Sequence, residues 1–167
     1  VSGNSKKTKS TSGSAQVEHE NTVTKKTSKN DRLARFGFSF ERGGAHTART
    51  LMLEELRTLL AYVDRPEADK SDYLRAIDAE NCLGKRSAKT RTLTYRHLVD
   101  LYSLDRTHVL FRALLYFWNR DIDGQPLLAL GCTYARDPIF RVTAPFILNF
   151  PEGATVTRVS LEECIDN

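Results

Sequence analysis

The chain has few cysteines and no long apolar run, and each shortage excludes a class of protein. Its three cysteines are far apart and form no CxxC pair, so neither a disulfide framework nor a thiolate metal site is indicated. The four histidines lack zinc-ligand spacing, and we expect neither a metal nor a cofactor. The longest nearly apolar run, residues 109–118, is too short to span a bilayer and contains Arg112. These features, with no apolar secretory signal near the N-terminus, favour a cytoplasmic protein without a membrane segment.

Catalytic motifs are also missing from the chain. Gly84-Lys85 lacks the preceding spaced glycine of a phosphate-binding loop. Asp78 and Glu80 are two positions apart, so on a helix they do not share a face. Nothing in the sequence positions Cys82 and His97 as a thiol and its base. We therefore expect a protein without its own catalysis.

The positive charge is concentrated near the N-terminus. Residues 1–44 hold nine Lys or Arg against four Asp or Glu, whereas residues 45–167 are nearly balanced at sixteen against seventeen. Residues 1–31 are rich in Ser, Thr and Lys and almost free of apolar side chains. Such a segment cannot bury enough surface to offset its ordering entropy, so it is predicted to be a disordered basic tail. The tail would either solubilise the protein or act as a basic arm.

Apolar residues recur at helical spacing beyond the tail. They predict a single all-α domain over residues 32–167, a compact bundle of about six helices with a helix-turn-helix-like unit. An extended lead-in is expected at 32–40, and a strand or extended segment at 154–159. Four of the expected helices lie at 45–63, 71–81, 88–102 and 127–136. A fifth starts at Asp105 or Thr107 and ends at residue 119. The sixth starts at Pro138 and ends or kinks at Pro145.

The inner face of the expected helix at 71–81 consists of Tyr73, Leu74 and Ile77. Asp137 is the expected N-cap of the helix that begins at Pro138. Cys132 lies on an apolar helix and is expected to be a packed core thiol.

Two further expectations concern individual helices. The helix at 109–118 is apolar on all sides, which is typical of a central helix. Ser160 and Glu163 match a capping box that would open one more helix. Because the sequence stops at Asn167, the domain is expected to be truncated or minimal at its C-terminus.

The stretch from Cys82 to Leu98 carries five basic residues and no acidic one. Gly84 interrupts the helical pattern, and Ser87 is a good N-cap for the next helix. The two flanking helices have helix-turn-helix proportions, although the turn is longer than usual. In that motif the start of the second helix enters the major groove of double-stranded DNA. The predicted phosphate contacts are Lys85, Arg86, Ser87, Lys89 and Thr90, and the predicted base contacts are Thr92, Leu93 and Arg96.

Two other interpretations of this stretch remain open. It could be a solvated helical hairpin whose charges meet only water. It could also dock an acidic protein partner, which would make the chain a protein–protein adaptor. Arg91 lies nearer the inner side of the expected helix and is a weaker candidate contact. The sequence indicates neither the oligomeric state nor a choice between DNA and RNA.

Several short motifs resemble the BrxA family of BREX phage-defence systems. Members carry a similar N-x-L-x-K-x-S-x-x-T turn into a helix, which here runs from Asn81 to Thr90. The resemblance covers roughly residues 45–150. Its other motifs are Asp72-Tyr73, Ala76-Ile77, Glu80, Arg91, Pro126-Leu127-Leu128-Ala129-Leu130 and Ala135-Arg136-Asp137.

The resemblance implies a small, mostly helical cytoplasmic protein that binds double-stranded DNA beside other defence-system proteins. Family members usually continue into a further C-terminal helical or winged region, and a Ser/Lys-rich N-terminal tail is not expected of them. The DNA-facing role would fall on Lys85, Arg86, Ser87, Lys89, Thr90 and Arg96.

Overall fold

The computed structural model describes residues 1–3, 28–40 and 51–166, and all regular secondary structure in these ranges is helical. The all-α prediction is therefore confirmed for the described residues. They form eight helices rather than about six, and none of them is long and apolar enough to cross a membrane. The helices are α1 (Lys29–Phe36), α2 (Leu53–Val63), α3 (Lys70–Asp78), α4 (Ala88–Tyr102), α5 (Val109–Trp118), α6 (Gln125–Arg136), α7 (Pro138–Leu148) and α8 (Arg158–Asp166).

Helix α1 forms where an extended lead-in was expected, so that prediction is wrong for residues 32–36. Ser28 and Asp31 make a reciprocal capping box at its start, and Gly37 ends it with a left-handed backbone at φ 106°. The predicted tail at residues 1–31 lies mainly outside the described residues, and its last three residues are helical.

Helix α2 begins at Leu53, not at residue 45. Residues 51–52 are not helical, Met52 has a left-handed backbone at φ 50°, and residues 41–50 lie outside the described ranges. The apolar stripe of α2 packs inward as expected. Its buried members are Leu56, Leu59, Leu60 and Val63.

Helices α3 and α4 pack against each other and supply much of the core. Asp69 caps α3 with Asp72 in a second capping box, so α3 starts one residue early and ends at Asp78. Leu74 was expected on the inner face of α3 but is exposed. The buried residues of the pair are Tyr73, Ala76, Ile77, Thr94, Leu98, Leu101 and Tyr102.

Helix α5 is buried on one side only, so its predicted all-round burial is wrong. Phe111, Leu114 and Trp118 face the core, whereas Tyr116 and Phe117 are exposed. The expected caps also differ from the structure. Asp105 accepts hydrogen bonds from Thr107 in the preceding turn, and His108 occupies the N-cap position.

The predicted start of α7 is confirmed, whereas the predicted end of α7 and the predicted start of the last helix differ from the structure. Asp137 caps α7 and Pro138 occupies its first turn, as predicted, but the helix continues past Pro145 to Leu148. Of the strand or extended segment predicted at 154–159, residues 154–157 are non-helical and form no strand, and residues 158–159 belong to α8, which begins at Arg158. Thr157 Oγ1, rather than Ser160, accepts a hydrogen bond from a backbone N–H at the helix start, so the predicted capping box is wrong.

Arg136, at the end of α6, joins three parts of the described chain. Its Nε donates to the carbonyl of Asp100 at 2.8 Å, and its two terminal nitrogens donate to the carbonyls of Gly37 at 2.8 Å and Val99 at 3.1 Å. Helix α4 has no basic residue in its last turn. Arg136 therefore supplies the positive charge that the C-terminal end of α4 favours.

Candidate nucleic-acid interface

The start of α4 is set by the side chain of Ser87. Its backbone is extended at φ −130° and ψ 152°, and its Oγ accepts a hydrogen bond from the N–H of Thr90 at 3.1 Å. The hydroxyls of Ser87 and Thr90 lie 2.9 Å apart. The helix bounds and the N-cap agree with the prediction. Because Ser87 satisfies only one of the free N–H groups, others at the helix start remain available to an anion.

The polar residues predicted to contact DNA lie together on the outer side of α4 and on the loop before it. Lys89, Thr92 and Arg96 recur at three- and four-residue spacing, so they share one face of the helix. Thr92 Oγ1 donates to the carbonyl of Ala88 at 3.1 Å, which leaves its oxygen as an acceptor. The exposed members of this surface, called the α4 outer face below, are Arg86, Ser87, Lys89, Thr90, Thr92, Leu93 and Arg96.

Lys85 differs from the other predicted phosphate contacts because it is half-buried and already paired. Its Nζ lies 3.1 Å from Glu55 Oε1 on α2, and its backbone N–H donates to Asn81 Oδ1 at 2.8 Å. Gly84 has φ 61° and Asn81 has φ 50°, which turns the loop so that Lys85 points back towards α2. Lys85 therefore does not carry the uncompensated charge that the sequence predicts.

Arg91 lies on the inner edge of α4, as its position on the helix predicts. Its Nε is buried and lies 3.9 Å from Asp78 Oδ1, which is too far for a hydrogen bond. The carboxylates that approach Lys85 and Arg91 come from other helices, so the stretch has acidic neighbours that its own sequence lacks. Among the described residues, no carboxylate pairs with Arg86, Lys89 or Arg96, so these three supply the uncompensated charge of the α4 outer face.

The first turn of α4 contains no acidic residue. A helix start carries a partial positive charge, and a basic side chain there adds to it. Lys89 lies in this first turn, and Arg86 immediately precedes Ser87. The helix start therefore combines side-chain and backbone positive charge, an arrangement that attracts anions.

The connection between α3 and α4 runs over residues 79–87, more than twice the usual three- or four-residue turn of a helix-turn-helix. The two helices pack together, but the long connection departs from the motif. The helix-turn-helix assignment therefore stays a prediction.

The cysteines lie apart from this face or at its margin. Cys132 is buried on α6, as predicted for a packed core thiol, and burial raises its pKa to about 11. Cys82 is half-buried in the α3–α4 connection, and burial followed by the charge of Glu80 raises the pKa of its thiol. In the described ranges, no three His, Cys, Asp or Glu side chains cluster in a way that could hold a metal ion.

Sequence reasoning missed a second polar site, a cavity of about 350 Å³ beside α5. Its guanidinium groups come from Arg65, Arg106 and Arg112, which lie on a loop, a turn and a helix. These residues come together only in the folded chain, so no local sequence pattern predicts the site.

Comparisons with known proteins identify no relative of this chain. No protein-family model matches it, and no curated protein or solved structure shows significant similarity. The resemblance to the BrxA family remains a prediction from the short motifs.

Proposed function

We propose that this chain is a non-catalytic, cytoplasmic DNA-binding accessory protein of a bacterial phage-defence system similar to BREX. The α4 outer face is the observation that supports the DNA-binding part of the proposal. There Arg86, Lys89 and Arg96 are exposed beside a capped helix start with no acidic residue in its first turn. The defence-system part rests on the motif resemblance.

The chemistry of this face suits the phosphate backbone of a duplex. Arg86 and Lys89 would neutralise phosphates. Of the Ser87 and Thr90 hydroxyls, which share one hydrogen bond, the one that is not the donor in that bond would donate to a phosphate oxygen. Thr92 and Arg96 lie farther along the same helix, where they would approach base edges if the start of α4 enters the major groove. Lys85 would play a smaller part, since its ammonium group already meets Glu55.

The test is duplex binding by the full chain at two salt concentrations, measured by fluorescence anisotropy. We expect binding that weakens steeply with salt, and a shallower salt slope in the Arg86→Gln, Lys89→Gln, Arg96→Gln triple variant. Each lost phosphate contact lowers the slope by roughly 0.9. The matched control removes three exposed charges elsewhere, Arg32→Gln, Arg35→Gln and Arg158→Gln.

Two outcomes would overturn the proposal. One is the absence of duplex binding at low salt by the wild-type chain. The other is an equal loss of affinity in both triple variants, which would indicate a general effect of net charge. Circular dichroism of both variants would show that the helices are retained.

The second candidate function is a protein–protein adaptor of the same defence assembly. The observation that favours it is the approach of two carboxylates, Glu55 to Lys85 and Asp78 to Arg91, at the inner margin of the basic stretch. An acidic partner would extend this pattern across the α4 outer face. An adaptor would bind bare duplex weakly and co-purify with a defence-system protein, and the α4 triple variant would lose that partner. Salt dependence alone does not separate the two functions, because both contacts are charged.

A further inference from the structure

A cavity of about 350 Å³ opens beside α5, away from the residues of the α4 outer face. Its walls come from α2, the α2–α3 loop, α3, the turn before α5, and α5 with the residue that follows it. Small-molecule sites in proteins begin at about this volume and combine apolar walls with a few polar groups. The lining residues that matter here are Asp64, Arg65, Tyr73, Arg106, Arg112 and Trp118.

The three guanidinium groups of the cavity have different partners. Arg65 is paired with Asp72 at 2.7 Å, and Arg112 donates through one terminal nitrogen to the carbonyl of Arg106 at 2.9 Å. Arg106 Nε is buried, and no described atom accepts a hydrogen bond from it. A buried donor without an acceptor is destabilising. A ligand acceptor that reaches this N–H group on binding would give it the partner that the described atoms do not supply.

The charge around the cavity is positive. Three arginines and one carboxylate, that of Asp64, line the cavity. Asp72 pairs with Arg65 from outside the lining and also contacts Arg75 at 2.8 Å, so positive charge exceeds negative charge at the site. That balance favours an anionic ligand, and an arginine fork matches the geometry of a carboxylate or a phosphate.

The apolar part of the cavity is aromatic. Tyr73 and Trp118 are almost fully buried in the core and form part of its wall, and Tyr73 meets Phe111 edge to face at 5.7 Å between ring centroids. The phenol of Tyr73 is protonated at neutral pH and can donate a hydrogen bond, and burial raises its pKa to about 12.

From this geometry we infer that the cavity binds a small organic anion with one carboxylate or phosphate group and a flat apolar body. The anionic group meets the guanidinium group of Arg106. The apolar body lies along the wall formed by Tyr73, Leu115, Tyr116 and Trp118. The site is independent of the proposed DNA-binding function, since the two share no residue.

Trp118 is the only tryptophan of the chain, so its emission reports on the cavity directly. The full chain is titrated with benzoate, with phenyl phosphate and, as a neutral probe of similar shape, with benzyl alcohol. We expect a saturable change in emission with one or both anions and none with benzyl alcohol. A response to benzoate alone assigns a carboxylate ligand, and a response to phenyl phosphate alone assigns a phosphate ester.

Variants of Arg106 connect the response to the proposed contact. Arg106→Gln is expected to weaken anion binding at least about tenfold, which corresponds to the roughly 1.4 kcal/mol of one charge-assisted contact. Arg158→Gln is the matched control, since it removes an exposed charge on α8 that pairs with Glu162. If Arg106→Gln does not fold, Arg106→Lys keeps the charge without the fork and should still weaken binding severalfold.

Three results would overturn the inference. The first is no saturable response to either anion up to roughly 10 mM, a concentration at which even a weak site would fill. The second is equal binding of benzyl alcohol, and the third is unchanged anion affinity in the folded Arg106 variants.

Discussion

Lys85 Nζ lies 3.1 Å from Glu55 Oε1, and this pair joins the basic stretch before α4 to helix α2. The side chains of both residues are less than one third exposed. The pair therefore holds the α3–α4 connection against the body of the domain, and it withdraws one charge from the surface that would meet DNA.

Replacing Glu55 releases that charge. In Glu55→Gln, the Lys85 ammonium is free to meet a phosphate, and we expect duplex affinity to rise by about two- to fivefold. The free energy of unfolding should fall by up to about 1 kcal/mol, the value of a partly exposed ion pair. The control is Glu54→Gln, which removes the same charge from the adjacent residue, itself paired with Arg57 at 2.6 Å. Equal affinities of the two variants would show that Lys85 takes no part in binding.

Lys89 is expected to lower stability while it supports binding. Its positive charge lies in the first turn of α4, where the helix dipole disfavours it. Lys89→Gln should raise the free energy of unfolding by about 0.3–1 kcal/mol and weaken duplex binding severalfold. Arg96→Gln lies two turns farther along the same face and should weaken binding without the gain in stability. Chemical unfolding and anisotropy measure the two effects, and a Lys89→Gln protein of unchanged affinity would contradict the proposed phosphate contact.

Ser87 has two roles that different substitutions separate. Ser87→Ala removes the acceptor for the N–H of Thr90 and should cost about 1 kcal/mol of stability. Ser87→Asp keeps a capping acceptor and adds a negative charge at the helix start, so stability should hold while duplex affinity falls. Thermal unfolding and anisotropy of both variants provide the comparison. Wild-type affinity in Ser87→Asp would place the bound phosphates away from the start of α4.

The buried thiol of Cys132 makes the free energy of unfolding depend on pH in the alkaline range. Burial raises the pKa of its thiol from an unfolded value of 9.0 to about 11 in the folded chain. The folded state therefore keeps a proton that the unfolded state loses, and stability falls as pH rises from about 9 to about 11. Between pH 8 and pH 10, the wild-type chain should lose about 1 kcal/mol more than Cys132→Ala does. Guanidinium unfolding at both pH values measures this difference, and parallel losses would show that the thiol ionises alike in both states.

Local signals in the sequence predicted the parts of the fold that local interactions determine. The predicted starts of α4 at Ser87 and of α7 at Asp137-Pro138 are confirmed, because a cap bonds to the backbone within three residues. Helix α1 has equally local signals in Ser28, Asp31 and Gly37, but the alternating phenylalanines at residues 36, 38 and 40 favour an extended segment and led to the wrong prediction there.

Contacts between distant residues could not be predicted in this way. Lys85 and Glu55 are thirty positions apart, so the pairing of this lysine was invisible in a basic run. Leu74 is exposed because of which side of α3 packs against α4. The spacing of apolar residues alone does not distinguish Leu74 from its buried neighbours Tyr73 and Ile77. The cavity around Arg106 depends on three separate segments, so it emerged only from the folded chain.

The three hydrogen bonds that Arg136 donates to backbone carbonyls affect how the domain opens locally. Residue 37 and the last turn of α4 share one guanidinium, and the N–H of Ser39 also donates to the carbonyl of Ala135 at 3.2 Å. Neither segment can separate from α6 without breaking part of this set, so local fraying is suppressed on both sides at once. In native-state hydrogen exchange, the amides of Ser39, the last turn of α4 and the last turn of α6 should then exchange through one shared opening, with a common dependence on denaturant. A single side chain near the end of α6 would thus define a cooperative unit that spans about one hundred residues of the chain.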